Sequence, residues 1–167
     1  MSLNHLNELS ANEAAQEFLK CCGSQHWTNT MIARRPFANV ADLMRIANDV
    51  WWSLNQDDWL EAFRSHPKIG EKKAAEAVST QAQQWSGQEQ SGMHDANVDT
   101  VHSLAQLNRE YEDKFGFIFI VCATGKSAGE MLALLCQRIQ NDPAAELPIA
   151  AAEQAKITEL RLKKLIN

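Results

Sequence analysis

Only one stretch of this chain, Phe117-Ile118-Phe119-Ile120-Val121-Cys122, reads as a strand: short, continuously apolar and preceded by a glycine. A lone strand has no neighbour to take its ladder hydrogen bonds, and even a two-stranded hairpin is marginal in water. A sheet is therefore not expected, and the core has to come from helices. The pattern predicts an all-α domain carrying one short extended, buried segment at 117–122.

The remaining segments supply those helices. Ser10 or Asn12 can cap a helix that runs to Cys22 and breaks at Gly23-Ser24. A short turn of helix around 27–33 ends before Arg35-Pro36-Phe37. Asn39 or Asp42 then opens an amphipathic segment in which Val40, Leu43, Ile46, Ala47, Val50 and Leu54 recur at three- and four-residue spacing. Asp57-Asp58 starts a short helix over 59–63, its acids suited to the positive end of the helix dipole. Residues 72–84 are rich in Ala, Glu, Gln and Lys, all good helix formers. A long helix follows from about Asp95, with Val98, Val101, Leu104, Leu107 and Tyr111 on one face, and Gly116 stops it. Ser127 caps the next, where Met131, Leu135 and Ile139 share a stripe. Asn141-Asp142-Pro143 ends that helix, and Pro148 suits the first turn of the last one, to about Leu165.

Composition narrows the class of protein. At 167 residues one domain over 1–167 is expected, and folding at that size buries roughly 70% of the surface an unfolded chain exposes. With 45% apolar and 22% charged residues, a core is attainable without metal or disulfide staples. The formal charge is −5 and no stretch gathers Lys and Arg, so nucleic acid is not an expected partner. A small anion is still admissible, because one buried Arg can dominate a pocket. Cys21, Cys22, Cys122 and Cys136 form no C-x-x-C pair. Residues 1–16 lack the basic and apolar blocks of a signal peptide, and no apolar run approaches the ~20 residues of a membrane helix. The expectation is a soluble, reduced, cytoplasmic protein.

Four features bear on chemistry. In Arg64-Ser65-His66-Pro67-Lys68-Ile69-Gly70 the proline forces His66 out of helical angles, so an imidazole sits in an extended link at a helix junction. Histidine is the side chain best matched to proton transfer near neutral pH. The plainer alternative is a surface histidine before a helix-starting proline. Ser86 and Glu89 are spaced as a capping box, with Glu89 reaching back to the Ser86 amide; a helix start is also a place where ligands meet amides. Arg161 lies among Ile157, Leu160, Leu162 and Leu165, where a guanidinium needs an anion or a route to water. Snorkelling or a core ion pair would satisfy it, and so would a carboxylate substrate. Gly125-Lys126-Ser127 imitates a phosphate loop, but the full motif needs glycine at position 120, where Ile120 stands. His5, His26, His94 and His102 make no ligand set, so no metal is expected. The five tryptophans (Trp27, Trp51, Trp52, Trp59, Trp85) read as packing residues.

Taken in order, several blocks resemble the 2-oxo-4-hydroxy-4-carboxy-5-ureidoimidazoline (OHCU) decarboxylase family. They are Cys22-Gly23-Ser24 with Trp27 and Met31, Arg35-Pro36-Phe37, Ala62-Phe63, and His66-Pro67-Lys68-Ile69-Gly70. Glu89-Gln90 and Gly92 follow, then Lys114 through Ala123, Arg138-Ile139-Gln140-Asn141, Glu146-Leu147, Glu153, Lys156-Ile157 and Leu160-Arg161-Leu162. The likeness covers nearly the whole chain. It implies an all-helical fold, usually a homodimer, with no metal or organic cofactor. It also implies the last step of urate breakdown, loss of carbon dioxide from the ureidoimidazoline and protonation on one face to give (S)-allantoin. The family's catalytic residues fall on His66, Glu89 and Arg161. Pro67, Ser86, Gly87, Gln88, Gln90 and the segment Ile118, Phe119, Ile120, Val121 and Cys122 match regions that line its substrate pocket. Ile118 stands where the family often has a small residue or proline. The rival from another class is a helical interaction module without catalysis, which would need an exposed apolar groove.

Overall fold

The structure is a computed structural model that describes every residue except Lys72, Lys73, Ala75 and Glu76. The described residues are helical with no strand. The helices are α1 (Leu3–Glu8), α2 (Ala11–Cys21), α3 (Gln25–Ala33), α4 (Val40–Ser53), α5 (Gln56–Arg64), α6 (Thr80–Glu89), α7 (Val98–Phe115), α8 (Ala128–Arg138) and α9 (Pro143–Leu165), with a 3-10 turn at Ser91–Met93. They fall into two compact units, one of Met1–Ala62 with Ala155–Asn167 and the other of Phe63–Gln154.

The first unit is held by caps and aromatic edges. Ser10 starts α2 in a full capping box with Glu13, and Ser24 and Asn39 accept from the third amides of α3 and α4. Each satisfies a donor that the helix itself leaves open. Phe18 of α2 meets Trp27 of α3 edge-on at 5.8 Å and Phe37 at 6.3 Å. The Trp27 indole donates to the Ala47 carbonyl of α4 at 3.0 Å, so a large buried ring keeps its one polar atom satisfied. Arg35 donates to the Leu6 and Leu9 carbonyls, closing the end of α1. That first helix had no clear signal, since Leu6 is its one buried residue. Val40, expected on the core face of α4, is 46% exposed because it opens the helix ahead of the buried Leu43, Ala47 and Val50. Trp27 and Trp51 are core residues as expected, whereas Trp52 is exposed.

The second unit packs around Tyr111. Ile69, Leu104, Tyr111, Phe119, Val121, Ala123, Ala128, Met131 and Leu135 form one buried cluster, and Phe115, Phe117 and Phe119 all lie within ring contact of Tyr111. Gly116 ends α7 with φ +77°, a left-handed cap that glycine adopts without a Cβ penalty. Val98 and Val101, expected on the buried face of α7, are exposed; burial begins only at Leu104, two turns in. Ser127 opens α8 in a capping box with Glu130.

Residues 118–123 lie outside any helix or strand, and 119–123 are buried, whereas 117 and 118 are half-buried. The segment forms no ladder, because side chains take the place of a neighbouring strand. Arg138 donates to the Ile120 carbonyl at 2.6 Å, the Cys122 amide donates to Glu153 at 2.7 Å, and Lys126 donates to the Cys122 carbonyl at 2.6 Å.

Three expected boundaries are corrected. The helix foreseen over 72–84 begins at Thr80, capped by Ser79, and its four undescribed residues lie outside comparison; Ala74 instead bridges Pro67. Helix α6 therefore ends at Glu89, so Ser86-Glu89 is not a capping box: the Ser86 carbonyl accepts from the Gln90 amide inside a helix already under way. The last helix starts at Pro143, where a missing N–H costs nothing, and not at Pro148, which lies inside it. Asp142 accepts from the amides of Ala145 and Glu146, which anchors that earlier start.

Candidate active site

His66 follows the end of α5, its amide donating to the Phe63 carbonyl at 3.1 Å. Pro67 holds the link extended through its bridge to Ala74, and Gly70 turns it at φ +88°. The Gly70 amide then donates to the Gln90 side chain at 2.9 Å, which ties this link to the end of α6. The histidine is buried, as is Pro67. That removes the surface-histidine alternative. Its Nε2 lies 2.7 Å from Oε1 of Gln154, a fully buried side chain of α9.

Glu89 and Ser86 are both buried on one face of α6, three residues apart. Gly87 and Gln88 are on the exposed face, and Gln90 is half-buried. Glu153, the neighbour of Gln154, takes the Cys122 amide. Burial pushes the Cys122 thiol above its ordinary range; Lys126 pulls the other way, and the Glu153 and Glu89 carboxylates add to the rise. In this unit the link at His66, the end of α6 and segment 118–122 are joined through Gln154, Glu153 and Gln90.

Arg161 belongs to the other unit. It is 3% exposed and donates to the Lys20 carbonyl at 3.2 Å, in the last turn of α2. A cation suits the negative end of a helix dipole. Burial excludes the snorkelling reading, which needs the charged head in water.

Beneath segment 118–122 lies a polar cluster whose role the sequence did not disclose. Glu146 is fully buried and accepts from Tyr111 at 2.5 Å, from Arg138 Nε at 2.7 Å and from Asn141 at 2.8 Å, with Arg138 Nη2 in ion-pair contact at 2.6 Å. Arg138 also lies 4.6 Å from the Phe119 ring centre. The signal for these residues was the spacing Glu146, Ala150, Gln154 and Thr158, one side chain per helical turn. These four are all buried, so the polar Glu146, Gln154 and Thr158 share α9's buried face. The same reasoning applied to Arg161 would have singled out Glu146 and Gln154.

Gly125-Lys126-Ser127 is spent on structure. Lys126 holds the Cys122 carbonyl and Ser127 caps Glu130, while Gly92 packs so close that a Cβ there would lie 2.0 Å from the Lys126 carbonyl oxygen. An open groove of about 530 Å³ beside it is lined by Asp95 as well as Lys126, which does not favour a phosphate.

A family model for OHCU decarboxylase matches residues 7–163. The uric acid degradation bifunctional protein TTL of Arabidopsis thaliana is 39% identical over 152 residues, covering 90% of this chain and 47% of that protein. The 2-oxo-4-hydroxy-4-carboxy-5-ureidoimidazoline decarboxylase of Amia calva is 29% identical over 173 residues, 100% of this chain and 95% of that one. The chain thus spans about half the length of the Arabidopsis relative, and 32% of the uric acid degradation bifunctional protein of Bacillus sp. (strain TB-90). A crystal structure of OHCU decarboxylase in the presence of (S)-allantoin is similar with a TM-score of 0.78 and 38% identity, covering 90% of this chain and 97% of that one. A crystal structure of (S)-allantoin synthase, 18% identical, shares the fold with a TM-score of 0.72 over 99% of this chain and 54% of that one. The matched span runs through His66, Glu89 and Arg161, and the chain belongs to the OHCU decarboxylase family.

Proposed function

We propose that this chain decarboxylates 2-oxo-4-hydroxy-4-carboxy-5-ureidoimidazoline to (S)-allantoin and carbon dioxide, with residues 1–167 acting as one catalytic domain. The observation that carries the reading is the family match along residues 7–163. Loss of carbon dioxide leaves an electron pair that must delocalise into a neighbouring carbonyl or imine. The substrate carries that sink itself, so the reading assigns no cofactor. What remains for the protein is to orient the carboxylate, hold the ring and deliver one proton to one face.

In this reading His66 delivers or removes the proton, a contribution of about 10²–10⁴ in rate. Glu89 orients the imidazole or binds the ureido N–H groups. Arg161 presents a fork of donors to the carboxylate or the developing oxyanion. Amides of segment 118–121 serve the ring carbonyls. The Cys122 amide is already given to Glu153 and is not among them. Pro67, Ser86 and Gln90 shape the surroundings of these groups. We further propose a homodimer and a cytoplasmic location. No helix among the described residues is long and apolar enough to cross a membrane.

The test is circular dichroism of freshly generated urate-oxidation intermediate, with and without the protein. Rapid appearance of optically active allantoin is expected, against a slow racemic background. A signal indistinguishable from the uncatalysed decay overturns the reading and leaves the interaction module. Light scattering on the purified protein checks the dimer.

A further inference from the structure

We infer that Gln154 is a positioning residue for His66, setting which imidazole nitrogen carries the proton and which way the ring faces. The inference rests on the proposal that His66 performs proton transfer, and adds the residue through which the fold controls it.

The geometry is specific. Gln154 sits on the buried face of α9 with Ala150, Ala151 and Ile157, and is itself fully buried. An amide placed there loses its water, and burial is tolerable only if its polar atoms find partners. A leucine would fill such a position at less cost. What the amide adds is an acceptor 2.7 Å from His66 Nε2. An Oε1 acceptor requires Nε2–H, so the neutral ring is held as the Nε2–H tautomer.

A carboxylate would orient the ring equally well, but it would also stabilise the imidazolium and hold the proton. Glutamine orients without that charge, which suits a group that must both give and take a proton near neutral pH. The adjacent Glu153 holds the Cys122 amide at 2.7 Å. Two consecutive residues of one rigid helix thus fix His66 and segment 118–122 against a common frame.

Four variants and one spectrum separate the outcomes. In Gln154→Leu, kcat should fall about 10- to 100-fold with KM changed little, by analogy with loss of the partner that orients a metal-bound histidine. Adding Gln154→Leu to His66→Ala should cost nothing further, because Gln154 acts only through the ring. Gln154→Glu keeps the acceptor and should retain more activity than Gln154→Leu, with the limb of its pH–rate profile that reports His66 displaced upward by about one unit or more. The Glu89 and Glu153 carboxylates are common to both proteins, so the displacement isolates the new charge. Two-bond ¹H–¹⁵N correlation of the histidine rings, with His66 assigned by its loss in His66→Ala, should show one Nε2–H tautomer in the unmodified protein. In Gln154→Leu it should show an averaged pair.

Full activity of His66→Ala removes the proposed function of His66, and this inference with it. An inactive His66→Ala beside a fully active, folded Gln154→Leu overturns the inference alone. So does an Nδ1–H or averaged His66 in the unmodified protein, a reading that needs no turnover. Loss of fold in Gln154→Leu transfers the decision to Gln154→Glu, where an unmoved pH profile overturns it.

Discussion

Replacing Glu146 by leucine removes the acceptor shared by Tyr111, Arg138 and Asn141, at a site with no access to water. Arg138 is 7% exposed and keeps its bond to the Ile120 carbonyl, so it cannot swing out without releasing the segment it holds. Stripping one partner from a buried ion pair costs about 3–5 kcal/mol, and leaving the Tyr111 hydroxyl unpaired adds about 1–3 kcal/mol. Even the lower sum is a large share of the roughly 5–15 kcal/mol that keeps a domain folded. For a chain of this length each kcal/mol moves Tm by about 2–4 °C, so a loss of at least about 8 °C is expected. Urea unfolding followed by far-ultraviolet dichroism and tryptophan fluorescence measures it. The decisive comparison is Arg138→Met with Glu146→Leu. Removing both charges takes away the uncompensated guanidinium, so the double variant should be more stable than Glu146→Leu alone, short of the parent by the orphaned Ile120 carbonyl and Tyr111 hydroxyl. A loss below about 1 kcal/mol in Glu146→Leu, or a double variant no better than it, would refute the reasoning.

Tyr111 is the chain's single tyrosine, and burial, reinforced by the Glu146 carboxylate, holds its hydroxyl well above the ordinary value of about 10. A raised folded value contributes stability that is whole below pH ~10 and is lost as pH climbs past it; an absorbance titration at alkaline pH should show no tyrosinate until the protein unfolds, and early ionisation would contradict the buried bond. Burial raises the thiols of Cys21 and Cys22, the latter to about 12, and that of Cys122, whereas Cys136 is exposed. A thiol reagent near pH 8 should therefore find one fast cysteine, with three more appearing on denaturation. Gly92→Ala forces a methyl group against the Lys126 backbone and should cost about 1–3 kcal/mol in chemical denaturation; an unchanged midpoint would mean the two turns are free to separate. Arg161→Lys keeps the charge and loses the fork, so turnover should fall while the far-ultraviolet spectrum holds; full activity would make Arg161 a structural cap for α2.

The residues that could be read in advance are those whose reasons are local. Ser10, Asn39 and Ser127 cap helices because a short side chain reaches amides within its own turn, and Gly116 ends α7 because the left-handed angle needs no partner. His66-Pro67 announced an extended junction for the same kind of reason. Ser86 and Glu89 show the limit of such reading, since the spacing of a capping box also occurs inside a helix that began at Thr80. Val98 and Val101 show it again: periodicity marks a face, but not where along α7 the core begins.

What the sequence determined by itself was the helical architecture, the isolation of segment 117–122 and the candidates His66, Glu89 and Arg161. Tertiary structure alone decided what holds them. Gln154 meets His66 across 88 positions and Glu153 meets Cys122 across 31, and no local pattern encodes a partner at that separation. A buried polar atom accepts burial only when another is delivered to within hydrogen-bond distance, and that delivery is a property of the packed helices.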